Sequence, residues 1–256
     1  MENRMEKRTE DREDLLEGRN AVAEALRAGR TVDKLLIAKG DTDQALARLA
    51  AKARKAGAAV VETDRRKLDA LSQTGAHQGV IAYLAAAPYA QVADILALAR
   101  ERGEAPLVVV CDELSDPHNL GAVIRTAECA GAHGVIIPKR RSAGLTATVA
   151  KASAGAVSVL PVARVTNIPA VLEELKREGL WVYGAAGEAA GTLYETDFKG
   201  PTAIVIGSEG DGLGRLVREK CDGLVSIPLR GQISSLNASA AAAVLLYEVL
   251  RQRLGL

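Results

Sequence analysis

The sequence predicts an α/β protein in which a small α/β domain precedes a larger C-terminal domain built on a parallel sheet flanked by helices. Apolar runs such as LVVVC, GVIIP and TAIVIG are continuous, which is typical of strands buried on both faces of a parallel sheet. Helical stretches separate these runs, and such alternation is typical of a doubly wound sheet. The segment AAAPYAQ interrupts the pattern at Pro88 and indicates a linker between the two parts.

The chain before the linker predicts a charged tail and then the small domain. Residues 1–16 are rich in charge and contain no apolar segment, so we expect a disordered tail that is neither a secretory signal nor a transit peptide. Residues 17–84 alternate between helix and strand. The pattern predicts helices over 20–28, 42–56 and 64–72 and strands over 34–38, 59–62 and 79–84. Residues 85–91 are expected to form the linker.

Residues 92–256 predict the larger domain. A helix over 92–102 leads into the LVVVC strand, and helices over 122–130 and 169–178 separate later strands. An Ala-rich helix closes the chain, with Ser234 or Ser235 near its N-cap. Open α/β sheets bind ligands at the carboxyl ends of their strands. Functional residues are therefore expected in the loops that follow those ends.

Composition argues against several classes of protein. No apolar run reaches the ~18 residues that span a bilayer, so we expect a cytoplasmic protein with no membrane partner. Cys111, Cys129 and Cys221 are odd in number and lack a C-x-x-C spacing, which argues against a disulfide framework and against zinc. We interpret them as buried thiols.

Local runs of basic residues indicate a polyanionic partner. The net charge is only +1, but residues 129–172 contain no Asp or Glu, and their cations include Arg140 and Arg141. Further basic runs lie within 48–55 and 65–67. Any single run can be solvated surface, whereas several together favour a nucleic acid, whose phosphates release counterions when neutralised. Because aromatic residues make up only 3% of the chain, recognition of backbone and shape is expected rather than base stacking.

The loop DELSDPHNLGAVIRTAE follows the LVVVC strand and contains the first candidate residues. Asn119 and Arg125 can both reach the top of the sheet from one helix N-terminus. The planar fork of donors on Arg125 suits a phosphate or a carboxylate. The alternative is a helix cap with a structural ion pair between Arg125 and Glu128.

Two later loops also follow strands. In VIGSEGDGLG, Gly207 and Gly210 leave backbone N–H groups accessible, and Glu209 is a side chain placed for hydrogen bonding, although a plain glycine-rich turn would show the same pattern. In IPLRGQISSLNASA, Ser235 and Asn237 lie at a helix start, where helix capping and ligand contacts are both open interpretations.

Taken in this order and spacing, the three loops resemble the three motifs of the SpoU (TrmH) branch of the SPOUT methyltransferases. DPHNLGAVIRTAE resembles motif 1, IVIGSEGDGL motif 2 and SIPLRGQISSLNASAAAAVLLYE motif 3. The resemblance includes GAHQG (75–79), IPKRRSAGL and AGEAAGTLY, and covers about residues 18–253. It is nearest to the RlmB type, which methylates a guanosine ribose of 23S rRNA near the peptidyl-transferase centre.

The resemblance implies a fold, a cofactor and partners. It implies a deep trefoil knot in the catalytic domain, an exception to the rule that chains are unknotted, and an L30-like small domain that recruits RNA. It also implies a homodimer in which motif 1 packs near the partner's cofactor pocket. The cofactor would be S-adenosylmethionine, held largely by backbone groups. The motif positions that would bind it are Gly207, Gly210, Ile227, Leu229 and Leu236.

The resemblance also implies catalytic roles. It assigns deprotonation of the ribose hydroxyl to Arg125, either as the base itself or with help from a phosphate. Because arginine stays protonated in proteins, we favour Arg125 as a clamp on the adjacent phosphate that stabilises developing negative charge. Asn119 and Glu209 would orient Arg125 and the ribose, while Ser235 and Asn237 would close the pocket. The methyl donor already carries positive charge, so no metal is expected.

By the same resemblance, RNA contacts are expected in both domains. The residues are Arg19, Asn20, His77, Gln78, Arg140 and Arg141. The GAHQG domain favours 23S rRNA as the partner. The alternatives are a tRNA 2′-O-methyltransferase of the same family, a non-catalytic RNA-binding relative, and a nucleotide-dependent oxidoreductase suggested only by the glycine-rich loop.

Overall fold

The structure is a computed structural model that describes residues 15–41 and 43–256. Most of the predicted tail therefore lies outside the described residues. Its boundary at residue 16 was wrong, however, because Leu15 and Leu16 belong to the first strand, β1 (Leu15–Glu17). This strand pairs antiparallel with residues 81–83, a contact across more than sixty positions that local sequence does not reveal.

The described chain divides into two compact units. The first runs to Pro88 and includes Gly144–Thr148, and the second comprises Tyr89–Ala143 and Val149–Leu256. The division after Pro88 falls inside the expected linker. The short segment Gly144–Thr148 differs from the prediction, which assigned it to the larger domain.

The first unit is a mixed sheet with helices. After β1 it contains α1 (Arg19–Arg27), β2 (Val32–Ala38), α2 (Gln44–Lys55), β3 (Ala59–Thr63), α3 (Arg65–Leu71) and β4 (Val80–Leu84). Among the described residues its sheet has the order β1-β4-β2-β3, in which β2 and β3 are parallel and the other pairs antiparallel.

Helix α2 shows how the sequence sets this unit's surface. The Asp43 side chain accepts a hydrogen bond from Ala45 N at 2.7 Å and so caps the helix start. Leu46, Leu49 and Ala53 recur at helical spacing and are buried. The basic residues of the helix are exposed on its other side, which leaves a positively charged surface.

Apart from Gly144–Thr148, which includes the first two residues of the helix Ala147–Ala152, the chain from Val92 onward builds the second unit. Its elements are α4 (Val92–Arg102), β5 (Leu107–Cys111), α5 (Pro117–Cys129), β6 (Gly134–Pro138), α6 (Ala147–Ala152), β7 (Val162–Val165), α7 (Ile168–Arg177), β8 (Trp181–Ala185), β9 (Gly191–Thr192), β10 (Thr202–Ile206), α8 (Arg215–Lys220), β11 (Gly223–Ser226) and α9 (Ala238–Leu254). Within the described chain the sheet order is β7-β6-β5-β10-β8-β11-β9, and every neighbouring pair is parallel.

The central strands confirm the predicted α/β class. Every residue of β5 and of β10 is buried, because helices cover both faces of the sheet. Since all strands run the same way, the loops after β5, β8, β10 and β11 leave the sheet at one edge. This edge gathers the loops of all three motifs.

Two helix starts differ from the predictions. Helix α5 begins at Pro117 rather than at residue 122, because Asp116 accepts a hydrogen bond from His118 N and proline fits the first helical turn. The closing helix α9 is capped by Asn237 and not by Ser234 or Ser235. Asn237 Oδ1 accepts from Ser239 N at 2.9 Å.

The cysteines differ in exposure. Cys111 is buried, and burial raises the pKa of its thiol to about 12. Cys221 is half-buried, and the same cause raises the pKa of its thiol to about 11. The expectation of buried thiols was wrong for Cys129, which is exposed on the last turn of α5.

Over the part of the chain that the structure describes, no helix combines the length and the apolar character needed to cross a membrane.

Candidate functional site

A cavity of about 600 Å³ opens at the carboxyl edge of the parallel sheet. It is enclosed by the loop after β8 (185–188), the loop after β10 (206–213) and parts of the segment after β11 (227–236), with the first turn of α9. The structure brings the expected cofactor residues together here, since all of them line the cavity: Gly207, Gly210, Ile227, Leu229 and Leu236.

The loop after β10 turns sharply, and glycine makes that turn feasible. Ser208 N donates to Gly212 O at 3.0 Å and Gly212 N donates to Ser208 O at 3.1 Å, while Gly212 has a φ of 66°. A Cβ on Gly207 would lie 2.5 Å from Leu213 N and closer still to Gly212. Only a residue without a side chain fits, so the loop presents its backbone to the cavity.

Asp112 anchors the far end of this loop, and sequence reasoning missed it. Its Oδ2 accepts a hydrogen bond from Gly214 N at 2.8 Å, and the residue is 6% exposed. Burial raises the pKa of this carboxyl above its ordinary value. The available signal was a carboxylate placed directly after a fully apolar strand.

A polar network joins the three motifs at the cavity. Asn119 Nδ2 donates to Glu209 Oε1 at 2.8 Å, and Asn237 Nδ2 donates to Asn119 Oδ1 at 3.0 Å and also to Glu209 Oε1. Asn119 is 8% exposed, so its hydrogen bonds are shielded from water. The network holds the Glu209 carboxylate in one orientation at the cavity wall.

Two expected catalytic residues lie outside this network. Arg125 is exposed on α5 and does not line the cavity. Across residues 15–41 and 43–256 its guanidinium makes no hydrogen bond or ion pair, so the alternative pairing with Glu128 is not formed. Ser235 lines the cavity and is exposed, but it makes no hydrogen bond to the network residues.

Glu188 and Arg218 form an ion pair at the cavity, and neither was singled out from the sequence. Glu188 lies on the loop after β8 and Arg218 on α8. The REK segment around Arg218 has the pattern of an ordinary solvated helix, so only the folded chain reveals that this guanidinium lines the cavity.

Two residues of the first unit that were expected to contact RNA, Arg19 and His77, form polar contacts within the chain. Arg19 Nε donates to Gln78 O at 3.0 Å, and the guanidinium pairs with Asp43 and Asp41. His77 is 3% exposed; its Nδ1 accepts from Gly79 N at 3.0 Å and its Nε2 lies 2.8 Å from Asp69 Oδ1. Both ring nitrogens are engaged within the chain, so His77 stabilises this loop. A direct contact between His77 and RNA stays a prediction.

Asn20 and Gln78 are exposed on the first unit, Asn20 on α1 and Gln78 on the loop before β4. In the second unit Arg140 and Arg141 are also exposed, and Arg141 pairs with Glu113 at 3.0 Å. Arg140 shares its surface with other cations. Partial burial and the neighbouring charges of Arg164 and Arg140 lower the pKa of the Lys139 ammonium. Several cations held close together form a surface suited to an anion.

Comparison with known protein families gives two matches. Residues 106–247 match the SpoU rRNA Methylase family, and residues 15–90 match a family described as RNA 2′-O ribose methyltransferase substrate binding. The two matches cover the second and the first unit, respectively.

Individual proteins are similar over nearly the whole chain. The Bacillus subtilis protein YacO, described as of the TrmH family of tRNA/rRNA methyltransferases, is 48% identical over 94% of this chain and 96% of its own. The 23S rRNA (guanosine-2′-O-)-methyltransferase RlmB of Ralstonia nicotianae is 44% identical over 93% of this chain and 96% of its own. The crystal structure of the SpoU methyltransferase AviRb from Streptomyces viridochromogenes with the cofactor AdoMet aligns with a TM-score of 0.61 at 28% identity, covering 94% of this chain and 90% of that one.

Proposed function

The chain belongs to the SpoU rRNA methylase family, and from this premise we propose that it transfers a methyl group from S-adenosylmethionine to a ribose 2′-hydroxyl of 23S rRNA, at the P-loop guanosine near the peptidyl-transferase centre. The observation that carries the proposal is the hydrogen-bonded network of Asn119, Glu209 and Asn237 at the cavity. This network supports the proposal because it joins one side chain from each motif beside a cavity that could hold the cofactor.

The cavity fits an adenosine cofactor. Its volume lies within the range of about 300–1,000 Å³ typical of small-molecule sites. Ile206, Leu213, Val225 and Ile227 supply apolar wall for a purine, and the loop at Gly207 offers backbone groups for its polar edge. When bound, S-adenosylmethionine supplies an electrophilic methyl group on a positively charged sulfur.

The chain's own residues then act on the ribose. The Glu209 carboxylate, which accepts hydrogen bonds from two amides, would accept a further hydrogen bond from a ribose hydroxyl. A guanidinium binds phosphate oxygens in pairs, so Arg125 would hold the phosphate next to that ribose and stabilise the charge that develops on its oxygen.

We propose that the active form is a homodimer. Arg125 points to solvent and does not line its own chain's cavity, so a second copy would bring it to the cavity where it acts. Helix α5, which carries Arg125, packs against α9, and α9 leaves Val244 and Tyr247 exposed. Exposed apolar residues on a packed helix pair are suited to a subunit interface.

RNA binding is proposed for both units. In the first unit, Asn20, Gln78 and the basic residues of α2 and α3 face solvent. In the second unit, Arg140, Arg141 and Lys139 supply cations beyond the end of β6. Cations on each unit would neutralise RNA phosphates, which predicts RNA binding that weakens steeply with salt.

The proposal is tested by mapping ribose methylation of 23S rRNA by mass spectrometry in cells with and without the gene. We expect the 2′-O-methyl group of the P-loop guanosine to be absent from cells that lack the gene. Expression of the wild-type chain in those cells should restore it, and expression of Arg125→Ala should not. An unchanged guanosine, with a methyl group lost from tRNA instead, would refute the rRNA assignment in favour of a tRNA enzyme.

A further inference from the structure

The charges around the cavity are uneven. Among its described lining residues Arg218 is the only cation, whereas Glu188, Glu209 and Asp211 are carboxylates. The Arg218 side chain is 35% exposed, so the guanidinium is partly desolvated at the wall and still accessible from the cavity.

The partner of Arg218 is exposed to solvent. Glu188 lies on the loop after β8, and its side chain is 63% exposed. Its own backbone N–H and then Arg218 lower the pKa of the Glu188 carboxyl, so the carboxylate is charged at neutral pH. Exposed ion pairs contribute only about 0–1 kcal/mol. A ligand carboxylate can therefore replace Glu188 at little cost.

We propose that Arg218 binds the α-carboxylate at the amino-acid end of the cofactor and that this carboxylate displaces Glu188. The inference rests on the proposed S-adenosylmethionine cofactor, which carries a single carboxylate. Glu209 and Asp211, the other carboxylates of the lining, would repel that group, so Arg218 is the lining cation that can bind it. A guanidinium fork matches a carboxylate in a two-point contact, which makes Arg218 a specificity residue for the amino-acid end.

Two probes test this role by calorimetry without turnover. S-adenosylhomocysteine carries the amino-acid end, whereas 5′-methylthioadenosine has the same adenosine and thioether but lacks it. Arg218→Ala should weaken binding of S-adenosylhomocysteine about ten- to a hundredfold, the loss typical of a charge-assisted hydrogen bond, and should leave 5′-methylthioadenosine unchanged. Arg218→Lys should recover part of the loss.

Matched variants separate the outcomes. Arg215→Ala removes an exposed cation of the same helix that pairs with Glu219, and should change neither probe. Glu188→Ala should leave S-adenosylhomocysteine binding equal or tighter, because the competitor of the ligand is gone. The inference would be overturned if Arg218→Ala weakened binding of both probes equally. It would also be overturned if Glu188→Ala weakened S-adenosylhomocysteine binding as much as Arg218→Ala does. If the wild-type chain bound neither probe, the proposed function itself would fail.

Discussion

Replacing Gly207 by alanine tests whether the loop after β10 forms the cofactor wall through its backbone. A Cβ at Gly207 would lie 2.5 Å from Leu213 N, whereas ordinary contact begins at 3.4 Å. The turn would have to open by more than about 0.9 Å, since Gly212 lies closer still, and the atoms that clash are backbone atoms that cannot rotate away. Overpacking of this kind typically costs about 1–3 kcal/mol, so the variant should unfold at a lower urea concentration than wild type. A loss of the same size in binding free energy would weaken S-adenosylhomocysteine binding about five- to a hundredfold.

Gly210 in the same loop provides the matched control. A Cβ at Gly210 would meet no atom within 4 Å, and its φ does not lie in the left-handed region. Gly210→Ala should therefore unfold at the wild-type urea concentration. Urea unfolding followed by circular dichroism, together with calorimetry, measures both quantities. If Gly207→Ala and Gly210→Ala behaved alike, the tight turn would not define the cofactor wall, and the reasoning would be refuted.

Further substitutions probe the polar groups. Arg125→Ala should abolish methyl transfer in a tritiated-methyl assay while S-adenosylhomocysteine binding stays within about twofold, because the proposed role of the guanidinium is to hold an RNA phosphate and not the cofactor; near wild-type turnover would rule out this role. Asn119→Ala removes a donor from Glu209 and should lower turnover about ten- to a hundredfold, and unchanged turnover would show that the network is dispensable. Asp112→Asn keeps an acceptor for Gly214 N but removes a buried charge. Because burial raises the folded-state pKa of this carboxyl above its unfolded value, the ionised group destabilises the fold at neutral pH, and this penalty fades as pH falls through the raised pKa. The variant should thus have a higher free energy of unfolding in urea than wild type at pH 7, and this difference should shrink toward acid pH. A difference that grows toward acid pH would contradict the raised pKa of Asp112.

Local patterns predicted the parts of the fold that depend on burial. The runs LVVVC and TAIVIG are apolar because β5 and β10 are covered on both faces, so their composition alone predicts buried strands. The short strand β1 was missed because its three residues adjoin charged sequence and are held by pairing with distant β4. The start of α5 was placed late because its capping residues lie before the apolar repeat.

Some residues of the candidate site were predicted from the sequence, and others became evident only in the structure. Asn119, Glu209 and Asn237 were identified through the spacing of three motifs, since their hydrogen bonds join residues about a hundred positions apart and no local pattern encodes that contact. His77 is buried, which its position in a polar loop did not indicate. Arg218 was missed because a cation on an amphipathic helix is usually solvated. The trefoil knot stays a prediction from the family resemblance.

Methyl transfer by the purified chain tests the central assignment most directly. The protein is incubated with tritiated-methyl S-adenosylmethionine and 23S rRNA from cells that lack the gene, and the labelled nucleotide is identified after digestion. We predict stoichiometric label on the 2′-oxygen of the P-loop guanosine with the wild-type chain and none with Arg125→Ala. Three results would contradict ribose methylation of 23S rRNA. They are label on a base, label confined to tRNA, and no methyl transfer by a protein that binds S-adenosylhomocysteine.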